Sequence, residues 1–329
     1  MNYFVKRLTF YIAALFVAAT LNFIIPRAMP GDPVTMLFAN ASVQVTPERI
    51  TAMKELLGFV DGSLVTQYLV YMKNILYWEL GTSIQFYPLS VNELLGKAFG
   101  WSLFLAGSAV IISFSIGSLL GVWAAWKRGS RYDTFVTPFM LIIQAIPQVV
   151  IAMIALFTFA IGLKWLPTGY AYTAGHTPDW TSWSFYKDVA YHAFLPLFCA
   201  SIAQIGGFLV NMRNNMINLL AEDYITMAKG KGLSSSRVIF NYAARNALLP
   251  SITAFSMAIG IAIGGQLIVE IIFNYPGLGT VLLNAIHARD YQVLQGQLLI
   301  MTLFMLSFNL VADLLCIAFD PRLRAGESY

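Results

Sequence analysis

Charge is scarce in this 329-residue chain. Asp, Glu, Lys and Arg together make up 11% of it, while 58% is hydrophobic and the mean hydropathy is +0.68. A soluble domain carries about a quarter charged residues. A water-soluble protein of this length could not hide so much apolar surface, so its natural solvent is lipid. Cysteine is nearly absent as well. Cys199 and Cys316 both lie in apolar runs without metal-ligand spacing and read as small packing residues. The three histidines, His176, His192 and His287, are scattered, which speaks against a histidine metal site. No Gly-x-x-x-x-Gly-Lys-Ser/Thr stretch occurs, and Lys229-Gly230-Lys231-Gly232 lacks the spacing that cradles a phosphate, so no ATPase activity is expected of the chain itself. Internal repeats and low-complexity tracts are also missing.

What is present is a series of long apolar stretches. A spanning helix needs about 20 mostly apolar residues to cross about 30 Å of hydrocarbon. Six stretches qualify: 8–26, 101–126, 134–163, 192–212, 249–273 and 296–319. The first follows Lys6 and Arg7 but is longer than a signal-peptide core and lacks a small-x-small cleavage site, so it is expected to be retained. The third contains Pro138 and Pro147, which predict a kink or a tilt. The fourth carries Gly206-Gly207 and is expected to be broken there.

With the N-terminus inside, segments 1–7, 127–133, 213–248 and 320–329 hold 12 of the 20 Lys and Arg in 60 residues. Lys127, Arg128 and Arg131 fall in one very short loop, where the positive-inside rule is most reliable. The same rule accounts for the net charge of +4 without invoking nucleic acid. The expectation is an all-α polytopic membrane protein of about six transmembrane helices, N-in and C-in. The organisation expected is a tail and first span (1–27), a sizeable extracytoplasmic segment (28–100), a five-helix core (101–319) with a cytoplasmic loop at 213–248, and a cytoplasmic tail (320–329). Helical patterns run from Pro47 to Leu57 and from Val65 to Leu76. A second outer segment, 164–191, is rich in aromatics, among them Trp165, Tyr170, Tyr172, Trp180, Trp183, Phe185 and Tyr186.

Small residues recur at helical spacing in two spans, Gly117-x-x-x-Gly121 and Gly260-x-x-x-Gly264, with Gly265 beside the latter. Such spacing lets helices approach closely in lipid, inside the bundle or across a dimer, although it also arises by chance. Polar side chains within spans are costly and should face the bundle or a wet cavity. Gln144, Gln148, Gln204, Asn211, Gln266, Glu270, Asn309 and Asp313 are the candidates for a solute path, the alternative for each being an interhelical hydrogen bond. Asp313 could also meet Arg322 or Arg324 near the cytoplasmic face.

The inner loop carries the sharpest signal. It runs Ala221-Glu222-Asp223-Tyr224-Ile225-Thr226-Met227-Ala228-Lys229-Gly230-Lys231-Gly232-Leu233 and ends Arg245-Asn246-Ala247-Leu248-Leu249-Pro250. A short helix, a glycine break and a second helix fit it; composition alone gives only a solvated basic loop. This loop resembles the coupling (EAA) loop of binding-protein-dependent importers, in the variant found in dipeptide, oligopeptide and nickel permeases. Asp223, Tyr224, Ala228, Lys231, Gly232, Leu233 and Arg245 to Pro250 match that pattern. Met227 and Gly230 depart from it, and the full Glu-Ala-Ala triplet is absent. Met29-Pro30-Gly31-Asp32-Pro33, Glu79-Leu80-Gly81-Thr82-Ser83, Val269-Glu270-Ile271-Ile272-Phe273 with Pro276-Gly277-Leu278-Gly279, and Asp313 with Asp320-Pro321-Arg322 resemble four further elements of the family, in the same order.

The resemblance implies a permease subunit of an ATP-binding-cassette importer in a bacterial or archaeal cytoplasmic membrane. It would pair with a second homologous permease, two cytoplasmic ATP-binding subunits that hold ATP and Mg, and an extracytoplasmic solute-binding protein. Glu222, Asp223, Tyr224, Ala228, Lys231, Gly232, Leu233, Arg245, Asn246 and Pro250 would couple it to the ATPases, with Gly232 needed for its φ or for close approach. The solute would be a di- or oligopeptide, or a short chito- or cello-oligosaccharide. The aromatic segment 164–191 could stack on sugar rings or could form an interfacial belt. An ion-coupled secondary transporter would typically show repeat symmetry, and an intramembrane protease a buried nucleophile with its base. The sequence shows neither.

Overall fold

The computed structural model describes residues 3–28 and 62–319. The pattern Pro47 to Leu57, the element Met29 to Pro33 and the terminal Asp320-Pro321-Arg322 lie outside those residues. The described chain is helical: α1 Tyr3–Ala28, α2 Leu64–Leu76, α3 Val91–Trp126, α4 Arg131–Ala145, α5 Gln148–Ala155, α6 Trp183–Leu220, α7 Asp223–Gly230, α8 Ser235–Arg237, α9 Arg245–Gly265, α10 Leu267–Ile272, α11 Leu278–Ala288 and α12 Tyr291–Phe319. Two wider π turns, Leu156–Gly162 and Val238–Ala244, extend α5 and precede α9.

Among the described residues, α1, α3, α6 and α12 each contain a stretch long and apolar enough to cross a membrane. The α4–α5 pair, bent by 92°, is a broken span, which makes five, or a re-entrant loop, which leaves four. Many large apolar side chains on these helices are more than half exposed, among them Phe10, Ile12, Phe16, Ile111, Leu119, Ile142 and Phe194. In water such a surface would be a liability; in lipid it costs nothing. The chain is therefore a multi-pass membrane protein.

By its internal packing the chain forms two compact units, residues 1–102 with 276–306, and residues 103–275 with 307–329. In the first, α2 lies against the C-terminal half of α1. Tyr68 Oη is 2.8 Å from Thr20 Oγ1, Phe23 packs edge-on against Tyr68, and Arg27 reaches Gln67 at 3.2 Å. Helix α3 starts ten residues before the apolar run that announced it. The reason is local: Ser90 Oγ accepts the Glu93 N–H at 3.2 Å, and Ser-x-x-Glu is the signature of a helix start.

The stretch Glu79 to Ser83, singled out by resemblance, is tied down by the start of α12. Asp290, fully buried, accepts hydrogen bonds from Ser83 Oγ (2.6 Å), Ile84 N (2.8 Å) and Gln85 N (3.2 Å), and caps its own helix through Val293 N (3.2 Å). Gln292 accepts from Thr82 N at 2.7 Å, and Gly81 stands at φ +89°, where a Cβ would meet the Gln292 amide.

The second unit is built around α6. At 38 residues it is about 57 Å long by the 1.5 Å rise, nearly twice the hydrocarbon thickness. It is uninterrupted, which corrects the expectation of a break at Gly206-Gly207. Those glycines serve packing instead: a Cβ on Gly206 would lie 2.6 Å from Gln144 Oε1 and 2.7 Å from the Met140 carbonyl oxygen of α4. On another face of α6, Gly117 and Gly121 of α3 pack directly on the backbone of Ile205 and Leu209. Gly260 is buried and Gly264 exposed, so the second glycine pair does not present one packed face. Of the two prolines in the third stretch, Pro138 stays inside α4 and Pro147 makes the bend.

Candidate coupling loop and polar path

The loop after α6 is a short helix on a hydrophobic seat. Helix α6 ends at Leu220, and α7 starts at Asp223 with Glu222 in extended conformation as its N-cap. Asp223 in the first turn and Lys229 in the last both suit the helix dipole. Ile225 and Ala228, three residues apart, are buried on one face, in a cluster with Val122 and Ala125 of α3, Met212 and Met216 of α6, and Val238, Ile239, Ala243, Ala244 and Ala247. Tyr224 and Leu233 pack at its edge, and the Tyr224 hydroxyl accepts from Asn246 Nδ2 at 3.3 Å. The opposite face is open. Glu222, Asp223, Thr226, Met227, Lys229, Gly230 and Lys231 are all exposed, and Met227 keeps 62% of its surface.

The end of α7 is a Schellman cap. Gly232 N donates to Lys229 O at 2.9 Å and Leu233 N to Ala228 O at 3.4 Å, while Leu233 returns to the apolar seat. Gly232 has φ +72° and open space where a Cβ would be, so glycine is required for its conformation, not for close approach within this chain. The residues after the cap form α8, the π turn and α9. Arg245, Asn246 and Pro250 are exposed, and Pro250, inside α9, leaves the Asn246 carbonyl without its helical donor.

Beside this loop lies an ion pair that the sequence did not announce. Asp133, at the start of α4, receives Arg213 of α6 in a two-pronged contact, Nε to Oδ1 at 2.7 Å and Nη2 to Oδ2 at 2.8 Å. Gly129 N and Thr137 Oγ1 complete its shell at 3.1 and 3.0 Å. The Asp133 side chain is 7% exposed. A carboxylate with a matched guanidinium and two further donors is a satisfied buried charge. It fixes the short loop between α3 and α4 to α6 about two turns before α6 ends.

The polar residues proposed for a path fall into different places. Gln148 Nε2 donates to Gln266 Oε1 at 3.1 Å, joining α5 to the junction of α9 and α10. Asn211 accepts from Ser251 Oγ (3.0 Å) and Asn215 Nδ2 (3.1 Å), linking α6 and α9. Gln204 donates to its own helix at Ala200 O, and Gln144 stands over Gly206 and Gly207. Glu270 is fully buried, and Asn309 and Asp313 are half-buried in α12. Two of the eight thus meet as a pair and the others are dispersed.

Segment 164–182 precedes α6. Trp180 packs edge-on against Phe185 at 5.1 Å, Tyr172 lies 5.4 Å from Phe185, and the Tyr186 hydroxyl donates to the Trp180 carbonyl. Phe185 is buried by this packing and Tyr172 half-buried, while Trp165, Tyr170, Trp180, Trp183 and Tyr186 remain exposed. A cavity of about 530 Å³ opens here, lined by Thr173, His176, Asp179, Ser184, Phe185 and Asp188. The Thr181 hydroxyl and N–H bonded to Asp179 hold its carboxyl below the usual carboxylate range.

The chain is thus a multi-pass helical protein with an apolar-seated helix whose other face is exposed, on the loop after α6. Residues 117–325 match the family described as binding-protein-dependent transport system inner membrane component, and residues 1–97 match that family's N-terminal segment. Over 98% of its length the chain is 33% identical to the oligopeptide transport system permease protein AppB of Bacillus subtilis, covering 98% of that protein. It is 31% identical to OppB of Haemophilus influenzae, named an oligopeptide transport system permease, and 29% identical to DppB of Bacillus subtilis, named a dipeptide transport system permease; each likeness spans 98% of this chain and at least 98% of the relative. The chain belongs to the binding-protein-dependent transport system inner membrane components.

Proposed function

We propose that this chain forms half of the translocation path of an ATP-driven importer of di- or oligopeptides in a bacterial or archaeal cytoplasmic membrane. The observation that carries the coupling role is α7: a rigid helix, seated on the ends of α3, α6 and the start of α9, with its other face free for a partner. The peptide assignment rests on full-length likeness to permeases named for peptides. In this reading α9 with α10 supplies a sixth span, and both termini are cytoplasmic. The partners are a second homologous permease, an extracytoplasmic solute-binding protein, and two ATP-binding subunits that hold ATP and Mg.

The mechanism follows from the lengths and contacts. ATP closes the ATPase pair, and α7 moves with it. Because α7 shares one apolar seat with α3, α6 and the π turn before α9, it cannot move without them. Helix α6 is continuous from Trp183 to Leu220 and carries that displacement as a rod to the outer segment, while the Asp133–Arg213 pair carries it to α4. The bundle then passes from inward-open to outward-open. ATP and the loaded binding protein can shift this balance only by their preference for the outward form.

The test is the solute preference of the extracytoplasmic protein that co-purifies with this chain, read by thermal shift against short peptides and chito- and cello-oligosaccharides well above the expected Kd. Stabilisation by peptides supports the assignment. Stabilisation by oligosaccharides alone overturns it, and would turn attention to the exposed Trp165 and Trp183.

A further inference from the structure

The turn between α3 and α4 stands at the foot of two exposed stripes. On α3, Ile111, Leu119 and Trp123 are exposed at multiples of four residues, and Lys127 follows one turn later. This face lies opposite Gly117 and Gly121, which pack on α6. On α4, Arg131 is followed by Phe135, Phe139 and Ile142, all exposed, with the two phenylalanine rings stacked at 5.6 Å. Both stripes run from aliphatic through aromatic to cationic, the order in which a membrane passes from its acyl chains to its headgroups. The corner is therefore a membrane rim. Contacts hold its aromatic layer together. Phe240, from the π turn before α9, meets the Trp123 ring edge-on at 6.2 Å, and the Lys127 ammonium stands 5.8 Å from the centre of that ring.

The charges of this corner are unmatched. Lys127, Arg128 and Arg131 are exposed, and among the described residues none of them meets a carboxylate. Asp133, the acid nearest them in sequence, is committed to Arg213. These cations select what can lie against the stripe. A protein neighbour covering it would take them out of water and would have to bring carboxylates to match. A zwitterionic lipid brings a phosphate but also an ammonium into the same field. An anionic phospholipid brings the phosphate without a cation, keeps its headgroup in water, and lays an acyl chain along Trp123 and Leu119. We propose that the Lys127 corner of α3 is a binding site for an anionic phospholipid, with the phosphate on Lys127 and Arg128 and the chain against Trp123 and Phe240. In the proposed orientation this is the cytoplasmic leaflet. The site adjoins the coupling loop, because Lys229 of α7 stands 5.5 Å from the centre of the Trp126 ring, one turn from Trp123.

The experiment places the complete importer in nanodiscs of phosphatidylcholine and adds dibrominated phosphatidylglycerol or dibrominated phosphatidylcholine in steps. Bromine on an acyl chain quenches tryptophan at contact, and subtracting the signal of a Trp123→Phe importer isolates Trp123. Phosphatidylglycerol should reach half-maximal quenching at a mole fraction at least about fivefold lower than phosphatidylcholine, the scale of one cation at a membrane surface. Lys127→Gln should reduce that preference, and the triple change with Arg128→Gln and Arg131→Gln should abolish it. Millimolar inorganic phosphate at constant ionic strength should leave it unchanged. If the Trp123→Phe importer fails to assemble, phosphatidylglycerol retained by the wild-type and Lys127→Gln importers in native mass spectrometry decides instead. Equal quenching by the two lipids, or a preference that survives the triple change, overturns the site. No quenching by either lipid, the result of a protein covering the stripe, overturns it as well, and displacement by inorganic phosphate overturns the lipid as occupant. None of these readouts depends on transport, so their failure leaves the peptide reading standing.

Discussion

A methyl group at Gly121 should loosen the packing of α3 on α6, and the size of the effect can be worked from the contacts. A Cβ there would lie 2.5 Å from the Leu209 carbonyl oxygen, 2.9 Å from Met212 Cβ and 3.1 Å from the Arg213 nitrogen. Two of those atoms are backbone, so no rotamer change relieves the clash. Ordinary contact begins at 3.4 Å, and the helices must part locally by about half to one ångström, which forfeits a quarter to a half of the dispersion at each affected contact. Overpacking of this kind costs about 1–3 kcal/mol, against a gain of up to about 1 kcal/mol from replacing a helical glycine by alanine. Gly121→Ala should therefore be destabilising by about 1–2 kcal/mol. Gly107, on the same helix, has nothing within 4 Å of a would-be Cβ. Gly107→Ala should keep only the propensity gain and stabilise by up to about 1 kcal/mol. Thermal unfolding of the two variants in mild detergent reads the difference. Shifts of the same sign and size in both would refute the packing argument.

Other variants probe the remaining contacts. Asp133→Asn should cost about 3 kcal/mol by stranding Arg213, whose side chain is 21% exposed; the doubly swapped Asp133→Arg, Arg213→Asp variant should recover part of it, and unfolding of all three in detergent measures this. Asp290→Ala leaves Ser83, Ile84 and Gln85 without their shared acceptor and should raise amide exchange at residues 83–85, with little change in α7. Gly232→Pro cannot adopt φ +72° and should abolish transport while membrane insertion, assayed by fractionation, stays normal; normal uptake would sink the coupling role. Replacing Trp180 and Trp183 by Ala should lower transport only if the outer aromatic segment takes part in handing over solute, and unchanged uptake would leave it a packing element.

The loop and the bend were legible because their causes are local. The Lys-Gly-Leu stretch after Ala228 specifies a Schellman cap, and Pro147 removes an N–H wherever it stands. The same kind of reasoning misread Gly206-Gly207, because a glycine pair that weakens a helix in isolation is tolerated where another helix fills the space left by the missing Cβ. Asp133 and Asp290 were missed for a different reason. Their partners lie 80 and 205 to 207 residues away along the chain, and nothing near either aspartate in sequence signals them. Ser90-x-x-Glu93, by contrast, was present to be read and would have set the start of α3 correctly.

The central claim is that this chain carries peptides across a membrane on demand from cytoplasmic ATP. The most direct measurement is uptake of a labelled tripeptide into proteoliposomes holding the complete importer, with binding protein outside and ATP or a non-hydrolysable analogue inside. Accumulation with ATP, none with the analogue, and loss of accumulation with Gly232→Pro in this chain is the result expected. Equal uptake with ATP and with the analogue, or uptake that survives Gly232→Pro, would contradict the account.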